Sequence, residues 1–191
     1  MICTIGPAHY ARPAAVPKVM RELSRMFWQI ALLRRGPQDL PASTLLLVLT
    51  VIGYVCVNIL FSSLLPPESR WPERLLVDSL FMLVWYVALL RLLGRPERIL
   101  QTTTAVFGFQ AVMTPLLIPS EWLLRRFGED STWQVPITCA GLLLFVWVIA
   151  ANSQIVRTAL EWSAASSVAL VILQTLAGWL LQFALFPPLK P

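Results

Sequence analysis

The feature that most constrains this chain is a run of 24 residues, 42–65, without one charged side chain. A hydrocarbon core about 30 Å thick is crossed by about 20 apolar residues in a helix. Four more runs are of the same kind, at 75–93, 99–118, 133–155 and 162–186. Only the second holds charges, Asp78 and Arg91. Barrel strands alternate apolar and polar residues over about ten positions; these runs are apolar all round, so they read as helices. The expected fold is therefore all-α: a polytopic bundle of five transmembrane helices with an N-terminal interfacial amphipathic helix. Composition excludes the rival classes. Of 191 residues, 57% are hydrophobic and 13% charged, against about 25% charged in soluble domains. A soluble, disordered or collagen-like chain does not have these proportions.

Prolines and glycines punctuate the runs. Pro41 opens the first and Pro66-Pro67 closes it. Pro72 stands where the first residue of the second helix is expected. Gly94-Arg95-Pro96 marks a tight turn into the third, Pro115 a kink within it, and Pro119 its end. Residues 151–161 contain neither Gly nor Pro. An unbroken helix over 133–186 would be about 81 Å long at about 1.5 Å per residue, so the chain has to turn, and Asn152-Ser153 is the expected place.

With five spans, the N-terminus, the 94–98 turn and the 156–161 turn share one side. Ten of the fifteen Lys and Arg residues fall there and five on the other. The positive-inside rule places the N-terminus in the cytoplasm and the C-terminus in the periplasm of a bacterial inner membrane. Trp71, Trp122, Trp133 and Trp162 fall near span ends, as an aromatic belt requires.

Residues 1–19 read as a leader rich in Gly and Pro, without the continuous apolar stretch of a cleavable signal peptide. Met20 and Met26 are alternative starts. Residues 20–35 read as an amphipathic helix: Leu23, Met26, Phe27, Ile30 and Leu33 form one stripe, and Arg21, Glu22, Ser24, Arg25 and Gln29 lie on other faces. Trp28 and Arg34-Arg35 suit the headgroup layer.

A few positions bear on chemistry. Asp78 is an intramembrane carboxylate, expensive in lipid and a functional candidate for that reason. It titrates or contacts an ion inside the bundle, or it pairs with Arg74 or a neighbouring helix. Gln101, Thr102, Thr103, Thr104, Gln110 and Thr114 give the third span a polar character. They line a pathway, or they act as hydrogen-bonding glue between helices. Ala159, Ser163 and Ser167, at four-residue steps, form a small-residue packing face for an internal neighbour or another subunit. Arg157 and Glu161 are spaced to pair.

No catalytic constellation is present. GxSxG, HExxH, Walker and GxGxxG patterns are absent. The single histidine, His9, lies in the leader, outside any site that would use it for haem, zinc or a Ser-His dyad. A di-aspartate site needs two carboxylates at depth, and only Asp78 qualifies. Three cysteines without a CxxC propose neither a disulfide framework nor a zinc site; Cys56 and Cys139 lie in apolar runs as small hydrophobes. No cofactor or metal is expected, and the net charge of +5 follows from orientation without invoking nucleic acid.

Five spans behind a short hydrophilic N-terminus and an amphipathic lead resemble the Yip-type membrane domain over about residues 20–186. The local echo is Phe27-Trp28-Gln29-Ile30 through Gly36-Pro37-Gln38-Asp39-Leu40-Pro41. The eukaryotic members' Asp-Leu-Tyr-Gly-Pro signature is absent. The resemblance implies a non-enzymatic protein and supplies no functional residue. The expected role is that of a structural, accessory or assembly partner in a larger membrane complex, associating with the lipid bilayer and with other membrane subunits or itself. The alternative is a small transporter or channel subunit using Asp78 and the threonine-rich third span.

Overall fold

The computed structural model describes residues 25–30, 36–64, 70–127 and 131–187. The leader, the rest of the 20–35 stretch, Pro66-Pro67 and Lys190 lie outside the described residues. Among the described residues all regular structure is helical. Five long helices follow one another: α1 (Thr44–Leu64), α2 (Trp71–Leu92), α3 (Ile99–Phe127), α4 (Ser131–Leu160) and α5 (Ala164–Leu185). Residues 25–30 are also helical, and one-turn 3₁₀ segments at Pro37–Asp39 and Pro96–Arg98 lead into α1 and α3. Four of the five helices, α1, α2, α4 and α5, are long and apolar enough to cross a membrane.

α3 is the central helix. It packs against α1, α2 and α4 and against the 37–39 turn. Every residue from Thr102 to Phe109 is buried, and a helix covered on all faces belongs in the middle of a bundle. That position explains its composition. Its threonines are covered by the elements packed around it, so α3 need not be as apolar as the helices that face outward. α1, α4 and α5 expose Leu49, Leu60, Leu143, Val146, Leu180 and Phe183, a surface suited to lipid.

The helix ends show which residues stop a helix. Gly94 ends α2 in the left-handed region, φ 70°. Its N–H bonds to the Arg91 carbonyl at 3.2 Å and that of Arg95 to Leu90 at 2.8 Å, the paired bonds of a Schellman stop. α4 runs through Asn152-Ser153, where the turn was expected, and ends at Leu160. The left-handed position here is taken by Glu161, φ 58°, with the Trp162 N–H on the Arg157 carbonyl at 3.3 Å. Ser163 then starts α5 by accepting the Ser166 N–H at 3.2 Å. α3 likewise continues past Pro119, the expected stop, to Phe127. A proline removes one donor, a loss that neighbouring helices make tolerable in membrane bundles.

Three contacts place the N-terminal elbow, the α2–α3 turn and the α4–α5 turn at one end of the bundle. The Leu40 carbonyl accepts from Gln101 Nε2 at 2.9 Å. Arg98 donates to the carbonyls of Thr158 and Ala159 at 3.1 and 2.9 Å. Arg95 meets Glu161 at 2.9 Å. Phe27 and Ile30 are buried against the bundle while Arg25 and Trp28 are exposed. At the opposite end Gln182 Nε2 donates to the Arg74 carbonyl at 3.1 Å.

Candidate functional site

Asp78 lies about 10 Å along the α2 axis from Trp71, at about 1.5 Å per residue. It sits on the α2 face turned towards α1, where the Tyr54 hydroxyl donates to Oδ2 at 2.8 Å. Tyr54 is buried, and its ring meets Phe107 of α3 edge to face, centroids 5.5 Å apart. One turn on, Asn58 Nδ2 donates to the Tyr54 carbonyl at 2.9 Å. The carboxylate is thus held from α1, and its partner is braced by α3. A tyrosine inside an apolar run carries no sequence signal of this task, and Tyr54 escaped the sequence reading.

A second cross-helix bond joins α2 to α5: the Tyr86 hydroxyl donates to Gln174 Oε1 at 2.8 Å. Tyr86 is 1% exposed, so its polar end needs a partner inside the bundle. α2 is therefore pinned by a tyrosine bond on each flank. Interhelical hydrogen bonds in membranes contribute about 0.6 kcal/mol on average and about 1.7 at most, enough to fix register without dominating stability.

The α3 polar residues divide. Thr103 bonds back to the Ile99 carbonyl at 2.6 Å, and Thr114 to that of Gln110 at 2.8 Å. Thr102 and Thr104 are fully buried, and their hydroxyls have no hydrogen-bond partner among the described residues; the same holds for Asn152 Oδ1 on α4. Gln110, further along the helix, is half-buried. Of the small-residue face, Ala159 and Ser167 are buried, while Ser163 is exposed and caps α5.

The charged cluster lies at the α4–α5 turn. Glu161 accepts from Arg98 at 2.5 Å and from Arg95 at 2.9 Å. The hydrogen bond from Arg98, followed by the charges of Arg95 and Arg98, holds the Glu161 carboxyl below its ordinary value. Arg98 does two jobs, because it also covers the last carbonyls of α4, where a cation complements the helix dipole. Arg157, the partner expected from sequence spacing, instead supplies a main-chain carbonyl to the turn. Among the described residues no group of His, Cys, Asp and Glu is placed to hold a metal ion. No family model matches the chain, and no curated protein or solved structure matches it.

Proposed function

We propose that this chain is a non-enzymatic integral membrane protein, a structural, accessory or assembly partner within a larger membrane complex of the bacterial inner membrane. The observation that carries this reading is the bond from Tyr54 to Asp78. The one carboxylate at depth in α2 is engaged by a neighbouring helix and serves to join helices, the use to which membrane bundles put most buried polar groups. The wide apolar faces of α1, α4 and α5 remain for lipid and for other subunits or a second copy.

The proposed topology has five spans. α3 and α4, 29 and 30 residues long, are antiparallel partners. Arg98 ties the start of α3 to the end of α4, and residues 128–130 join their other ends. A helix matched end to end with a spanning helix crosses the same thickness. The Lys and Arg asymmetry puts the N-terminus in the cytoplasm and the C-terminus in the periplasm. The 20–35 stretch then forms an amphipathic helix at the cytoplasmic interface, with Phe27 and Ile30 turned to the bundle. The Yip-type resemblance enters as shared topology alone, and no trafficking role is drawn from it.

The transport reading is favoured by Thr102, Thr104 and Asn152, whose buried polar atoms have no hydrogen-bond partner among the described residues. Two measurements separate the readings. Crosslinking with mass spectrometry in native membranes should recover partner peptides attached to the outward faces of α1, α4 or α5. Asp78→Asn should accumulate normally and complement a deletion strain. Normal accumulation without complementation would sink the structural reading and promote a carboxylate-coupled transporter.

A further inference from the structure

α3 is walled on three sides by α1, α2 and α4, and its remaining side is closed by chain from before α1. There the Leu40 carbonyl accepts from Gln101 Nε2 at 2.9 Å. The Phe27 ring lies so near Gly108 that a methyl group added there would come within 2.1 Å of Cε1. Gln101, Thr104 and Gly108 stand at three- and four-residue steps and so share one face of the helix. From Gln101 to Gly108 this seat runs about 10 Å inward at about 1.5 Å per residue. Phe27, Ile30 and Leu40 join the same buried cluster as Phe107 and Phe109.

The 25–30 segment is held differently from a permanent wall. Thr104, between its two contacts, is fully buried, and its hydroxyl has no hydrogen-bond partner among the described residues. Thr103 and Thr114 return their hydroxyls to their own helix. Thr104 keeps a polar group that the apolar stripe of Phe27 and Ile30 cannot answer, and an unanswered buried group opposes the contact that buries it. The outer face of the segment carries Arg25 and Trp28, both exposed, which suit the headgroup layer. The same stripe can therefore lie on lipid instead of on α3. The elbow that follows is closed by its own bonds: the Gly36 N–H donates to Asp39 Oδ2 at 3.2 Å, and the Leu40 N–H to the Pro37 carbonyl at 3.1 Å. Residues 25–30 can leave while Leu40, 1% exposed, stays on α3 and keeps the start of α1 in place.

We propose that residues 25–30 form a displaceable strap, holding in cis a seat on α3 that a transmembrane helix of another subunit occupies in the assembled complex. This rests on the reading of the protein as an assembly partner. The seat defines the chemistry of the incoming helix. It is apolar, as its neighbours α1 and α4 are, and it carries a hydroxyl or amide side chain opposite Thr104. At Gly108 a side chain fills the dent that the Phe27 ring fills now. Such a helix answers the Thr104 hydroxyl, which the strap does not, and polar groups of this kind join helices inside membranes. The strap is the in-chain stand-in for a helix laid in a groove, and on displacement its apolar stripe turns to the lipid surface.

The test uses the full chain in native membranes, with p-azidophenylalanine in place of Phe27 so that the ring is kept. After illumination the membranes are solubilised and separated by native electrophoresis, and the peptides attached to position 27 are identified by mass spectrometry in each pool. In chain free of other subunits the probe should attach to the α3 peptide around Gly108; in chain held in a high-mass complex it should not. Thr104→Val, made in the otherwise unmodified protein, removes the unanswered hydroxyl. It should lower the ratio of complexed to free chain by about tenfold, the equivalent of one buried hydrogen bond. Thr103→Val should leave that ratio unchanged. Equal attachment to α3 in both pools overturns the proposal and leaves the assembly reading standing, and so does no attachment in either. A high-mass pool made of this chain alone overturns it in favour of a contact between copies. Absence of any high-mass pool overturns the strap and the assembly reading together.

Discussion

Tyr54 and Asp78, on α1 and α2, meet at 2.8 Å where those two helices otherwise share little contact. The bond is a joint between helices, and its two partners are not equivalent. Asp78→Asn keeps an acceptor for the tyrosine hydroxyl and should change stability by no more than about 0.6 kcal/mol. Tyr54→Phe leaves a half-buried carboxylate without its donor and should cost about 1–3 kcal/mol. Tyr54→Phe with Asp78→Leu should cost less than the two single changes together, by about 0.6–1.7 kcal/mol. Unfolding in mixed micelles measures the cycle. Strict additivity would show that the bond contributes nothing.

The sequence made one half of this joint visible and hid the other. Asp78 stands out because a carboxylate inside an apolar run is costly wherever it is put. Tyr54 does not, because an aromatic residue in such a run is ordinary, and its role depends on a helix 24 positions away. The same asymmetry holds at the ends of helices. Gly94 marks a stop because its own conformational freedom makes it one. Glu161 occupies the same left-handed position without that freedom, held by Arg95 and Arg98 across more than 60 residues. The available signals were a lone acid facing two arginines and the Ser163 start of α5. The continuation of α3 beyond Pro119 was hidden because local rules for proline assume solvent, whereas packing decides the outcome in a bundle.

Gly108 of the central helix lies against Phe27 of the 25–30 segment. A methyl group added there would lie 2.1 Å from Cε1 of Phe27. Gly108→Ala should therefore expel the Phe27 ring and cost about 1–3 kcal/mol, as overpacking does. Adding Phe27→Ala removes the clash, so the double variant should be more stable than the sum of the two single losses implies. Limited proteolysis near residue 30 gives a second readout, with faster cleavage expected in Gly108→Ala. Unchanged cleavage would mean that the ring does not dock on this glycine.

Glu161 gives the α4–α5 junction a pH dependence of known sign. Its carboxyl is held below the ordinary 4.5 by Arg98 first and then by Arg95. A carboxylate depressed in the folded state contributes fully above its unfolded pKa, and the contribution is lost as pH falls through the folded value. The junction should be firm above about pH 4.5 and weaken below it. Glu161→Gln should remove that dependence. Glu161→Gly should remove it too, and it should be the more stable of the two variants at every pH, because glycine adopts the φ of 58° without strain. Thermal unfolding of the three proteins across this range is the check. A wild-type profile parallel to that of Glu161→Gln would mean that the arginine clamp does not act on folding.

The last expectation concerns α3, whose composition sets it apart from the four plainly apolar helices. Its length is about 43 Å at about 1.5 Å per residue, more than the roughly 30 Å of hydrocarbon a span must cross. Its start is bonded to the end of α4 through Arg98, and its far end is joined to the start of α4 by 128–130. Three of the residues that lower its hydropathy, Thr102, Thr103 and Thr104, lie where other helices surround it, each at most 1% exposed. Lipid therefore does not meet these three threonines, and α3 can cross behind its neighbours. Reporter fusions after Arg95, within 128–130 and after Pro187 should give the cytoplasmic, periplasmic and periplasmic sides in turn. If Arg95 and 128–130 reported the same side, α3 would not cross, the bundle would have four spans, and both chain ends would share one side of the membrane.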